Sequence, residues 1–197
     1  MKDMWNQRYA EKDYAYGKDA NSYFKEELNK LQAGKILFPA EGEGRNAVYA
    51  AKAGWDVYAF DFSESAKLKA LKLADENNVD IKYDLSTIDD YQAEINSFDC
   101  IVFVFAHTPA EKRQEFHHKM ISLLKPGGKI ILEGFSKDQL NYNSGGPKME
   151  AMLFDEEMIR NDFSLLKKID VEQTLCDLSE GEFHKGQSSV IRMTATK

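Results

Sequence analysis

The sequence predicts an α/β fold: strands alternating with helices in a mostly parallel sheet, closed by a C-terminal antiparallel β-hairpin, seven strands in all. Three observations carry this. Short apolar runs recur between stretches of helical spacing, and such repeated β-α units build a parallel sheet with helices on both faces. The run Phe98–Phe105, FDCIVFVF, is apolar almost throughout, as a central strand covered on both sides must be. Two long strand patterns, Lys168–Leu178 and Ser189–Thr196, end the chain, and their joint, Ser179–Ser188, carries Gly181 and Gly186, which favours a hairpin.

Residues 1–33 form an aromatic, helical arm. Met4, Trp5, Arg8 and Tyr9 fall at helical spacing, Tyr16-Gly17 breaks the helix, and Asn21–Leu31 resumes it with Tyr23, Phe24, Leu28 and Leu31 on one face. Ile36–Phe38 is the first strand. A helix follows over Ala47–Ala53, and Gly54 stops it. Val57, Ala59 and Phe60 lead to Asp61 at the end of the second strand. Ser63 caps a helix that runs to about Asn77, and Ile81, Tyr83 and Leu85 alternate as the third strand. Ile88–Ile95 reads as a short helix. After the Phe98–Phe105 strand, Thr108-Pro109-Ala110-Glu111 has the form of a capping box with proline at the first helical position. Lys125-Pro126-Gly127-Gly128 makes a turn before a strand over Lys129–Phe135. Ser136–Leu153 is irregular and suits a lid or substrate loop. Asp155 caps a helix to Phe163.

Composition narrows the function. The chain has 197 residues, 43% hydrophobic and 30% charged, which suits one domain over 1–197 with its own core. A net charge of −7 argues against nucleic acid as the partner. The longest apolar run, Ile101–Ala106, is too short to cross a bilayer, and the polar N-terminus does not resemble a signal or transit peptide. Cys100 and Cys176 read as reduced thiols of a cytoplasmic protein rather than a disulfide. No grouping of His, Cys, Asp and Glu has metal-ligand spacing.

The stretch Ile36–Asp61 is the candidate site. A strand feeds a glycine turn that opens a helix, which places free N–H groups and a positive dipole end at one point. Gly42-x-Gly44-x-x-Ala47 fits the nucleotide-binding fingerprint, and Asp61 stands where a ribose-binding acid is expected. In a parallel sheet the other strand ends, Asp84-Leu85, Phe105–His107 and Glu133–Ser136, converge on the same cleft.

These pieces together resemble the class I S-adenosylmethionine-dependent methyltransferases. The matching motifs are EGEGRN after the first strand, YAFDFS at the second, YDL at the third, SFDCIV at the fourth and LLKPGG before the fifth. The N-terminal WNxRY and YxYG, with GGP and EGEFHxG later, are similar to a small bacterial subgroup near the tellurite-resistance and thiopurine methyltransferases. The resemblance implies a Rossmann-like three-layer αβα sandwich and S-adenosylmethionine as the cofactor. It further implies that backbone at Ala40, Gly42 and Gly44, with Asn46, passes the methionine part, that Asp61 accepts the ribose hydroxyls, and that Phe62 packs on adenine. Asp84 and Leu85 would reach the adenine edge. Phe105 and Ala106 would flank the sulfonium, and Tyr16 and Gly17 would close over the site. Phe38 and Ala40 depart from the family pattern, which has an acid and a glycine there. Glu41 or Glu43 could supply polarity instead, though solvent exposure in the turn is the simpler expectation for both.

Methyl transfer is an in-line displacement that positioning and water exclusion can drive. Aromatics suit a sulfonium. His107 is the leading candidate for a catalytic base, with a structural histidine as the alternative. His184, in the hairpin joint beside Glu182, has a site role open to it if the joint folds back over the cleft, with solvation in the turn the simpler expectation, and His117 and His118 lie mid-helix. The expected partner is a small-molecule methyl acceptor, with no nucleic acid and no membrane, for a monomer or homodimer. A non-catalytic binder of adenosylmethionine or adenosylhomocysteine and an NAD(P)-dependent oxidoreductase remain alternatives.

Overall fold

A computed structural model describes residues 2–11 and 13–197, with the side chains of residues 2 and 3 left out; Met1 and Lys12 of the arm lie outside the described residues. The strands are β1 (Lys35–Pro39), β2 (Asp56–Asp61), β3 (Lys82–Leu85), β4 (Phe98–Val104), β5 (Leu124–Phe135), β6 (Lys167–Glu180) and β7 (His184–Thr196). They form one seven-stranded sheet in the order β3-β2-β1-β4-β5-β7-β6. The pairs from β3 to β5 are parallel, and β7 runs antiparallel to both β5 and β6. The helices are α1 (Lys2–Ala10), α2 (Ser22–Leu28), α3 (Arg45–Lys52), α4 (Glu64–Glu76), α5 (Ala110–Leu123) and α6 (Glu156–Asp162).

Period-two alternation of the strands divides the core into two layers. Ile36, Phe38, Cys100 and Val102 point to one face and pack with Phe24, Leu28, Val48 and Leu73 from α2, α3 and α4. Leu37, Ile101 and Phe103 point to the other and pack with Phe116, Met120 and Ile159 from α5 and α6. Helices therefore cover both faces, which is why the parallel strands read as continuous apolar runs. Phe38 is explained by this division: its ring meets Phe24 edge-on, centroids 5.4 Å apart, inside the core.

Four expectations about elements are corrected. Ile88–Ile95 is a turn followed by irregular chain, not a helix. The Lys119 ammonium takes the carbonyls of Ile88 and Asp89, and Tyr91 is drawn down to stack on Phe60 at 4.1 Å. The capping box does not form. Pro109 is the N-cap, so Glu111 sits one position too early to reach back, and the buried Thr108 hydroxyl has no partner among the described residues. The Lys125–Gly128 turn lies inside β5: the register jumps from Phe98↔Leu124 to Cys100↔Lys129, and the skipped residues bulge out, held by Lys197. Pairing of β6 with β7 continues to Glu180↔His184, so the joint is only Gly181–Phe183 and His184 belongs to the strand.

Candidate active site

The carboxyl end of β2 carries Asp61, which is only 5% exposed. Its Oδ1 accepts from Ser63 N–H at 2.8 Å and its Oδ2 from Gly42 N–H at 3.2 Å. Burial pushes this carboxyl up to about 6, against the pull of those N–H donors. The Tyr83 hydroxyl donates to Gly42 O at 2.6 Å, so the turn is gripped from β2 and β3 together. Register places the exposed Leu85 beside Asp61. Phe62, half-buried, follows Asp61 in the chain, and Asp84 is exposed on β3.

The glycine turn needs its glycines. Gly44 adopts φ +87 at the N-cap of α3, and a Cβ there would lie 2.6 Å from Ala70 of α4. Gly42, at φ +68, lies against the Tyr9 hydroxyl, 2.9 Å from where a Cβ would sit. Ala40, where the resemblance expects glycine, still adopts the left-handed backbone at φ +51.

The N-terminus of α3 is not free, contrary to expectation. Glu41 Oε1 accepts from Asn46 N–H at 3.0 Å and Ala47 N–H at 2.8 Å, filling the anion position at the helix end. Burial pushes the Glu41 carboxyl up to about 7, with those N–H donors and Arg45 opposing. Glu43 is buried rather than solvated: it accepts from Ala15 N–H at 2.8 Å and from Lys69 Nζ at 2.7 Å. The arm is what buries Glu43. Residues 4–11 and 13–20 lie across the turn, with Tyr9 on Gly42, Trp5 stacked on Tyr9 at 5.3 Å, and Asn6 Oδ1 accepting from Ser63 Oγ at 2.6 Å. Two open concavities, each about 470 Å3, lie elsewhere, one beside α5 and α6 and one around Lys125–Lys129. Neither concavity is lined by Asp61 or the glycine turn, over which Tyr9 and Asn6 of the arm are packed.

Residues 36–128 match a family described as a methyltransferase domain. That match runs from β1 to the start of β5, just under half of the chain. The chain is 30% identical over 102 residues to a demethylmenaquinone methyltransferase of Renibacterium salmoninarum, covering 52% of this chain and 41% of that protein. It is 26% identical over 155 residues to a ubiquinone biosynthesis O-methyltransferase of Rickettsia conorii, covering 78% and 53%. The chain spans about half the length of these curated relatives. The solved structure of TehB from Haemophilus influenzae shares the fold, with a TM-score of 0.75 at 18% identity over 100% of this chain and 66% of that one.

The expected site residues divide into groups. Asp61, Phe62, Asp84 and Leu85 lie together on the β2–β3 side. Ala40, Gly42 and Gly44 form the turn, and the Asn46 side chain is turned away from it, accepting from Asn21 N–H at 2.9 Å. Tyr16 packs on His184 at 4.4 Å and its hydroxyl accepts from Arg8 at 2.9 Å, while Gly17 lies against Gly181 of the hairpin. Phe105 follows β4 at φ +52, an uncommon conformation for a bulky residue, and Ala106 is buried beside it.

His107 is not placed to act as a base. Phe135 N–H donates to Nε2 at 3.0 Å, so Nδ1 carries the proton and donates to Met152 O at 2.8 Å. Both ring nitrogens are thus committed to backbone, and burial lowers the ring's affinity for a further proton to about 4. The histidine in the cleft is His184. It is 5% exposed, and its Nδ1 lies 3.3 Å from Glu180 Oε2. Sequence reasoning missed Glu180, whose carboxylate also accepts from Arg45 at 2.8 Å and from Asn21 Nδ2 at 2.9 Å. Asn21 Nδ2 reaches Glu133 at 2.6 Å, and Glu133 pairs with Arg192 at 2.6 Å. The readable signal was the four-residue spacing of Glu180 and His184 across Gly181, which a tight hairpin turns into a facing pair.

Proposed function

We propose that the chain is an S-adenosylmethionine-dependent methyltransferase that acts on a small molecule by in-line transfer. The observation that carries this reading is Asp61. It is a buried carboxylate at the end of β2, flanked by the apolar side chains Phe62 and Leu85, within a fold shared with methyltransferases. A carboxylate between two apolar side chains suits a ribose diol with adenine beside it. Backbone at Ala40 and Gly42 would run along the methionine part, with Tyr9 and Tyr16 from the arm over it. Phe105 and Ala106 would stand at the sulfonium. Adenosylmethionine supplies an electrophilic methyl on a cationic sulfur. The work left to this chain is to hold the acceptor in line and to keep out water, and the aromatic arm serves both.

Two curated relatives are named for quinone-type compounds, which supports a small-molecule acceptor here. No helix among the described residues is long and apolar enough to cross a membrane. The net charge of −7 supports a partner other than nucleic acid, and we further propose a monomer or homodimer working in the cytoplasm. The test is release of S-adenosylhomocysteine from radiolabelled adenosylmethionine against a panel of small hydroxyl, amine, thiol and selenite acceptors. Turnover with at least one is expected. Binding of adenosylmethionine without turnover of any would make the chain a non-catalytic binder.

A further inference from the structure

We propose that His184 is the proton acceptor of the transfer step, held by Glu180 as a positioning residue, and that the methyl acceptor is a protic hydroxyl or amine. This rests on the methyltransferase reading above. The geometry has three parts. First, Glu180 and His184 face each other as the last pair of the hairpin, so the strand register fixes their separation. Glu180 Oε2 receives Nδ1 of the ring, which sets the tautomer and leaves the Nε2 lone pair open. Among the described residues Nε2 has no hydrogen-bond partner, and the Cδ2–Nε2 edge faces Gly145 of the irregular loop, where a Cβ would come within 2.8 Å of the ring. Second, the ring is caged by Tyr16 at 4.4 Å, Phe105 at 4.5 Å and Phe135 at 5.1 Å. Phe105 is the residue assigned to the sulfonium, so the histidine stands one ring away from the reacting centre. Third, Glu180 is itself fixed by Arg45 and Asn21, which join the hairpin to α3 and to the arm.

The charges around the ring are consistent with this role. Burial holds His184 below its ordinary value, outweighing the Glu180 bond, with Arg45 and Arg8 adding to the effect. Burial resists ionisation of Glu180, but bonds from His184 and Arg45 hold its carboxyl well below the usual range. Tyr16 on the arm and His107 after β4 are the other titratable groups facing the ring. At neutral pH the pair is therefore a neutral imidazole on a carboxylate. In the step, the acceptor oxygen or nitrogen forms its bond to the methyl carbon. The sulfur–methyl bond breaks with its electron pair on sulfur, and the acceptor's proton passes to Nε2. Glu180 steadies the imidazolium until water removes the proton.

The test measures adenosylhomocysteine release with catechol and aniline, whose acceptor atoms lose a proton, and with selenite, which needs no base. Transfer to catechol or aniline is expected. His184→Gln should lower kcat about 100-fold, leave KM for adenosylmethionine within twofold, and abolish the fall in rate at acid pH. Glu180→Gln should lower kcat less and move that acid limb, and Glu180→Asp should restore part of the loss. Nitrogen-15 NMR of the wild-type protein should show His184 protonated on Nδ1, a readout that does not depend on how the variants fold. A His184→Gln rate within threefold of wild type, transfer to selenite alone, no transfer to catechol or aniline by a protein that binds adenosylmethionine, or a proton on Nε2 would each overturn the proposal. Failure to bind adenosylmethionine would instead remove the reading beneath it.

Discussion

Asp61 ends β2 with both carboxylate oxygens on backbone amides, yet burial pushes its carboxyl up to about 6. The consequence for stability has a definite sign. The unfolded group ionises near 3.8, so below that pH both states are protonated and nothing is lost. As pH rises towards 6 the unfolded chain sheds the proton first, and the fold loses stability until Asp61 itself ionises. Asp61→Asn is therefore expected to match wild type in urea unfolding near pH 3.5 and to exceed it by about 3 kcal/mol above pH 7. Equal stabilities at both pH values would show that burial does not strain this carboxylate. Asp61 was legible in the sequence because its position after a glycine turn and a second strand is set by local pattern. Glu43 and Glu180 were not, since their partners, the Ala15 amide and the Arg45 side chain, are brought to them only by tertiary structure.

The arm is the element that separates this site from an open cleft. Glu43 ties it down twice, at the Ala15 amide and through Lys69, whose ammonium also reaches Asp13 O. Glu43→Gln breaks a buried ion pair and should cost about 1–3 kcal/mol. Hydrogen exchange at Ala15 should speed up with it, while amides of β4 stay protected. Unchanged exchange at Ala15 would mean that the arm is held by its aromatics alone. The strands and most helices were readable from apolar spacing and caps: Ser63 and Asp155 each accept from an amide of the first helical turn, as their types suggest. The elements that misled were those decided at long range. Lys119 takes the carbonyls that a helix over Ile88–Ile95 would have used, and the hairpin extends to His184 because β6 and β7 pair beyond their apolar cores.

At the scale of the molecule, two core layers fix the sheet, and the sheet brings the ends of β1, β2, β4 and β5 to one edge under the arm and the hairpin. The buried network from Asn21 through Glu133, Arg192, Glu180 and Arg45 joins arm, sheet and hairpin on one side of the cleft, and Asp61 anchors the other. The fold class was recoverable from sequence because β-α repetition and a terminal hairpin leave few topologies. The role of Phe38 was not, because only the assembled layers show that it faces Phe24 rather than the cleft. The central claim, that Asp61 marks an adenosylmethionine site, is tested most directly by isothermal calorimetry of the wild-type chain and Asp61→Ala with adenosylmethionine, adenosylhomocysteine and NADH. The account predicts 1:1 binding of the two adenosyl ligands, none of NADH, and a loss of about 1–3 kcal/mol in the variant from the missing charge-assisted ribose bonds. Binding of NADH without adenosylmethionine, or unchanged affinity in Asp61→Ala, would contradict it.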